Sequence, residues 1–210
     1  MLKKERYAPR SLRHASFMMR SVIIATENIG KFREIKALLE NEFDKFYSLR
    51  DFEEQVFVDE DSEFYVENAM KKARKIGDRF GIQTIADDSG LEVKALGGRP
   101  GVRSSRYGKN DDERMGRLLG ELKGVPWEQR GAVFKAYLTF YLPEKDRRYV
   151  FYGELRGIIG LERHGQGGFG FDPVFYVPEL NKYLAELDME EKNRLSHRGK
   201  AIQAFKNFYH

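Results

Sequence analysis

Apolar residues recur along this chain in two rhythms, and the places where the rhythm changes mark the elements. Val22–Ala25 is a short continuous apolar run, the signature of a buried strand. Phe32, Ile35, Leu38 and Leu39 follow at helical spacing, with Asn28 placed to cap that helix. A second strand is predicted near Phe46–Ser48. From about Ser62 to Phe80, the residues Val66, Ala69, Met70, Ala73, Ile76 and Phe80 share one helical face, and Gly81 ends it. Ile82–Ala86 reads as the next strand, delivering Asp87 and Asp88 at its end, with Gly90 as the point where the backbone turns. Gly97-Gly98-Arg99-Pro100-Gly101 is a loop, and Met115, Leu118, Leu119 and Leu122 then predict a helix.

Phe134, Ala136, Leu138, Phe140 and Leu142 alternate with Val133, Lys135, Tyr137, Thr139 and Tyr141, which predicts a long two-sided strand. It turns at Pro143–Asp146 into another over Arg148–Leu161. A glycine-dense loop covers 165–170, and Ala201, Ala204, Phe205 and Phe208 predict a closing helix. Early strands alternate with helices while the middle holds an antiparallel pair. The order predicts an α/β fold with a long mixed, twisted sheet flanked by helices, not a strictly doubly wound one.

A chain of 210 residues suits one domain, or one domain of two lobes around a cleft. There are no cysteines, which excludes disulfides, thiolate nucleophiles and zinc-thiolate sites. The four histidines include no pair at helix spacing, so a histidine-built metal site is not expected. No apolar run reaches the roughly 20 residues that span a bilayer, and a cytoplasmic protein without a membrane partner is expected. Net charge is +4, but Lys3, Lys4, Arg6, Arg10, Arg13 and Arg20 face only Glu5 in the first twenty residues. Beyond them charge is balanced, which argues against a nucleic-acid partner. Residues 1–20 lack the apolar stretch of a secretory signal, though their Arg/Ser content has a faint transit-peptide character. They are expected to be a disordered extension, or to follow from a start assigned upstream of Met18 and Met19. The rest, 21–210, is expected to form a single domain.

Five stretches carry candidate chemistry. Asp87-Asp88-Ser89 puts two carboxylates and a hydroxyl beside a buried strand, where acids need partners or a metal; the plainer role is an Asp-rich turn. Hard oxygen ligands of this kind suit Mg²⁺, which in enzymes most often manages phosphates. Thr26-Glu27-Asn28-Ile29-Gly30-Lys31 stands at a helix start, whose free N–H groups attract phosphate; alone it is an ordinary capped helix. It is not a Walker A loop, since Ala25 and Phe32 stand where that motif needs glycine and Ser/Thr. Asp59-Glu60-Asp61 could share a metal with Asp88 or merely complement a helix dipole. Glu67-Asn68, one turn on, could support that site or be solvated. Gly167-Gly168-Phe169-Gly170-Phe171-Asp172 sets two aromatic rings in a flexible loop, a stacking surface for a base or a bulged turn over the core. Ser196-His197-Arg198 could donate to a 6-oxo purine, with Lys192 reaching phosphate, although His-Arg at a helix start is usually surface.

Six strings occur in order: ATxNxGK at 25–31, ENAxxKA at 67–73, ADDSGL at 86–91, LGGxPGVxSxRY at 96–107, GGFGxDPxF at 167–175 and SHRGKA at 196–201. In these the chain resembles the inosine triphosphate pyrophosphatase family, also called Ham1-like, and most of all its bacterial branch. The resemblance implies two lobes with a central nucleotide-binding cleft, Mg²⁺ as cofactor and a homodimer. It implies that Thr26, Glu27, Asn28, Ile29, Gly30 and Lys31 hold triphosphate, that Asp88 is catalytic and a metal ligand, and that Glu60 or Asp59 supplies a second ligand. Ser89 would touch substrate. Phe169, Gly170, Phe171 and Asp172 would form the base pocket, Lys192 would reach phosphate, and His197 and Arg198 would recognise the 6-keto group. The sequence departs from the family pattern at Phe171 and Arg103, where Tyr is frequent, and at Phe64, where Thr is usual.

The implied reaction is hydrolysis of ITP, dITP or XTP to the monophosphate and pyrophosphate, cleansing the nucleotide pool. Two rivals stand beside it: a pyrophosphatase with another base preference, and a basic nucleic-acid-binding module. Trp127 is expected among exposed apolar positions compatible with dimerisation.

Overall fold

A strand and a capped helix open the described chain, which in this computed structural model comprises residues 20–210. The expected extension therefore lies, Arg20 apart, outside the described residues. β1 (Ser21–Ile24) passes into α1 (Ile29–Leu39), where the Asn28 side chain accepts from the Lys31 amide as the sequence predicts. β2 (Lys45–Ser48) lies parallel to β1, pairing Ile23 with Tyr47. α2 (Tyr65–Phe80) begins three residues later than predicted. Phe64 occupies its N-cap and gives no side-chain cap; the Ser62 hydroxyl instead accepts from the Phe64 amide at 3.0 Å. Gly81 ends the helix in the left-handed region, at φ 67°.

β3 (Thr84–Val93) corrects the sequence reading. The predicted strand stopped at Ala86 and turned at Gly90, whereas the observed one runs extended through both aspartates and the glycine. Pairing explains this. Ile24 of β1 sits beside Ile85, and further along Leu91 and Glu92 pair with the short β4 (Pro100–Gly101). Ladders on both stretches hold the intervening Asp-Asp-Ser-Gly extended, overriding its turn propensity.

α3 (Asp111–Glu121) follows, capped by Asn110, then β5 (Gly131–Leu142) and β6 (Arg147–Ile159), joined by a tight turn. β7 (Phe175–Val177) and β8 (Lys182–Tyr183) add antiparallel strands, and the strand order is β2-β1-β3-β5-β6-β7-β8, with β4 on β3. The sheet is mixed and the fold α/β, as expected. The predicted closing helix is preceded by a separate α4 (Met189–Leu195), capped by Asp188; after an extended Ser196, α5 (His197–Tyr209) begins. On α5 the buried apolar positions are Ala201, Ile202 and Phe205, while Ala204 and Phe208, predicted to face inward, are exposed. Trp127 is not an exposed position: it is half-buried, edge-on to Tyr176.

The described chain gathers into two compact units, the first made of residues 20–88 with 137–151 and 204–210, the second of 89–136 and 152–203. Each has a core of its own. In the first, Ala73, Ile76 and Phe80 of α2 pack with Ile23, Ala86 and Tyr141. In the second, Met115 and Leu118 of α3 pack with Leu91, Phe134, Leu155 and Phe175. Among the described residues, no helix is long and apolar enough to cross a membrane.

Candidate functional site

The first unit gathers the acids and lysines. β3 outruns β1, so Asp87 and Asp88 lie past the carboxyl end of the parallel pairing, the usual place for ligand groups in such sheets. Both are buried. Lys31, on the first turn of α1, reaches Asp87 at 2.8 Å. The lysine expected to hold phosphate is thus also the counter-ion of the first aspartate. Thr26 is buried and its hydroxyl accepts from the Asn28 amide, while Glu27, Asn28 and Ile29 are exposed around the helix start and Gly30 is half-buried.

Asp88 accepts from the Asn68 amide group at 3.1 Å. Asn68 is itself fixed by two hydrogen bonds with the Ser62 backbone, so α2 holds that donor in place. Burial pushes the Asp88 carboxyl above the usual carboxylate range; Lys31, Lys72 and the Asn68 bond pull it back, and the Glu60 charge pushes it further up. Glu60 is ion-paired with Lys72. Asp61 pairs with Lys71 on the surface, and Asp59 is exposed. Of the acidic cluster, Glu60 is therefore the member whose charge acts on Asp88.

Metal fit follows from this donor set. Among the described residues no group of three or more His, Cys, Asp or Glu is arranged to hold a metal ion. Two electrostatically coupled carboxylates, Asp88 and Glu60, are nevertheless the kind of protein contribution Mg²⁺ takes when phosphates and water complete its shell. The residues fit Mg²⁺ on that condition and would not make an all-protein cage.

The second unit gathers the aromatic and guanidinium groups. Gly153 allows the start of α5 to lie against β6: a Cβ there would come within 2.0 Å of the His197 carbonyl oxygen. His197 is buried, stacked on Phe134 with ring centroids 4.7 Å apart. Arg198 is buried and donates to the Ser89 hydroxyl at 3.0 Å. Lys192 forms a buried ion pair with Asp172. Its ammonium lies 4.7 Å from the centre of the Phe169 ring, and the Arg198 guanidinium 5.7 Å from it.

The two phenylalanines of the glycine loop separate. Phe169 is half-buried with two cations at its ring, while Phe171 is buried in the second core, near Tyr107. Phe171 is thus a core residue and not an exposed stacking surface. Asp172 is buried too, its carboxylate accepting from the Phe169 amide at 2.8 Å. Lys72 and the partnership of Asp87 with Lys31 went unread in the sequence. Lys72 is the lysine of the ENAxxKA string and stands at i+4 from Asn68, which sets both on one side of α2.

Comparison with known proteins concerns the chain as a whole. The Ham1 family model matches residues 22–208. A dITP/XTP pyrophosphatase of Geobacter sulfurreducens is 44% identical over 192 residues, covering 90% of this chain and 96% of that protein. One from Geobacillus kaustophilus is 46% identical over 187 residues, covering 88% and 91%. The solved structure of a HAM1 protein from Coxiella burnetii matches with a TM-score of 0.80 at 36% identity, covering 90% of this chain and 98% of that one. Family model, relatives and solved fold agree, and the chain belongs to the Ham1 family.

Proposed function

We propose that this chain hydrolyses ITP, dITP and XTP to the monophosphate and pyrophosphate. Membership of the Ham1 family supports a nucleotide pyrophosphatase in general, and the relatives named dITP/XTP pyrophosphatase support the finer substrate class. The observation that carries the reading is Asp88: a buried carboxylate, held by Asn68 and set among Lys31, Lys72 and Glu60. A carboxylate whose pKa is raised by burial holds a proton more readily, which suits a base that takes one from an attacking water. In this reading the first turn of α1 and Lys31 handle phosphate charge, and Lys31 can do so because Asp87 already orients its ammonium. Mg²⁺, when bound by Asp88 and Glu60, would offset charge on the phosphates.

Base recognition rests on second-unit residues. Phe169 offers a ring face, and Arg198 and His197 are donors suited to a 6-oxo acceptor, which a 6-amino group cannot satisfy. Lys192 is tied to Asp172, so its role is to hold the loop as much as to meet phosphate. Incubating the purified protein with a panel of nucleoside triphosphates, with and without Mg²⁺, tests the proposal. Pyrophosphate release from dITP and XTP but not from ATP, whose 6-amino group leaves those donors unmatched, is expected. Equal turnover of all purines would remove the 6-oxo selectivity, and no turnover would remove the activity.

A further inference from the structure

The first turn of α3, in the second unit, is acidic, with Asp111, Asp112 and Glu113. Asp111 there splits its carboxylate. Oδ1 accepts from Arg114 on the same helix at 2.6 Å, while Oδ2 leaves the helix and accepts from the Gly170 backbone amide at 2.7 Å. An acid that served only the helix dipole or an i,i+3 ion pair would have no need of the loop. The neighbouring Asp112 receives Arg163 through its carboxylate and through its carbonyl, the latter at 2.9 Å. Two consecutive acids of α3 thus grip the glycine loop at both ends. The Arg163 contact is exposed and contributes little, whereas the Gly170 bond is partly buried and charge-assisted.

Between those ends the loop also rests on His164, whose ring stacks on Tyr183 and whose amide donates to the Pro173 carbonyl at 2.8 Å. Gly165, Gly168 and Gly170 all lie at positive φ, between 66° and 75°. Gly167 donates to the Ala185 carbonyl and Phe169 to the Asp172 carboxylate. Asp172 presses against Gly168 so closely that a Cβ there would lie 2.1 Å from its oxygen. Phe169 is consequently held from two sides, by Asp172 through its own amide and by Asp111 through the next one. Glycines confer many alternative conformations, so each such bond raises the fraction of molecules with the ring in this orientation.

We propose that Asp111 is a positioning residue for substrate affinity, fixing the Phe169–Gly170 loop in the orientation that receives the base. This rests on the assignment of Phe169 to base binding made above. Steady-state kinetics with dITP and Mg²⁺ test it, on wild type, Asp111→Ala, Asp111→Asn, Arg114→Ala and Phe169→Ala. Asp111→Ala is expected to raise KM about tenfold, with kcat changed less than about twofold, because a smaller competent population lowers apparent affinity. Asp111→Asn keeps an oxygen that accepts from Gly170 and should stay near wild-type KM; Arg114→Ala should as well. Amide exchange at 165–171 should quicken in Asp111→Ala while β5 is unchanged. Should Asp111→Ala melt early, Asp111→Ser suits a helix start but is too short to reach the loop, and takes its place.

An unchanged KM in Asp111→Ala, or Asp111→Asn as impaired as Asp111→Ala, overturns the inference. Phe169→Ala separates the two levels. If it leaves KM unchanged, the base-binding assignment fails; if it raises KM while Asp111→Ala does not, only the role of Asp111 fails.

Discussion

Two buried carboxylates, one in each unit, sit among lysines under opposite arrangements. Asp172 is engaged twice on Oδ2: Lys192 pairs with it directly and the Phe169 amide donates to it, beside Gly168, where nothing larger would fit. Asp88 accepts one side-chain bond from Asn68 and feels Lys31 and Lys72 only through space, because those lysines are bonded to Asp87 and Glu60. The first arrangement spends the charge on holding a loop. The second leaves a carboxyl whose ionised form is disfavoured by burial yet compensated from a distance, the condition of a group with something still to bind. A buried acid is thus classed by how its partners are distributed, not by burial alone.

The largest expected effect is at Asp88. Asp88→Asn should lower kcat about a thousandfold, within the range of general-base contributions, and should melt no earlier than wild type, since burial already opposes the charge it removes. Undiminished pyrophosphate release would move Asp88 into the structural class with Asp172. Asp172→Ala should do the reverse and destabilise the protein by about 3–5 kcal/mol in urea unfolding, because it strands the buried Lys192 ammonium. Replacing both partners together, Asp172→Leu with Lys192→Met, should recover most of that loss; failure to do so would mean the loop, not the ion pair, carries the stability. Smaller effects sharpen the first unit. Glu60→Gln should raise the Mg²⁺ concentration for half-maximal rate by about tenfold. Asp59→Asn, at an exposed site, should change it by less than about twofold. A larger effect at Asp59 than at Glu60 would reverse the choice of ligand.

Much of the fold was legible because its elements have clean periods. The alternation through Phe134–Leu142 gave β5 almost to the residue, and the apolar face of α2 gave Ala69, Ala73, Ile76 and Phe80 as core. β3 was read short because Asp-Asp-Ser-Gly has turn chemistry, and its pairing with the neighbouring β1, β4 and β5 keeps it extended. The candidate site was legible as a set of strings but not as a set of partners. Phe169 and Phe171 are two residues apart in the same glycine run, yet one packs into the core and the other carries two cations on its ring.

Composition and order along the chain determined an α/β fold and where acids, glycines and aromatics would fall, since periodicity and turn chemistry act over a few residues. Which carboxylate would pair with a lysine, and which would accept from an amide, was decided by packing between distant segments: Lys31 against Asp87, Asn68 against Asp88, Asp111 against Gly170. Hydrogen bonds and ion pairs are settled at about 3 Å, and no local pattern of residue types fixes distances between segments so far apart in the chain.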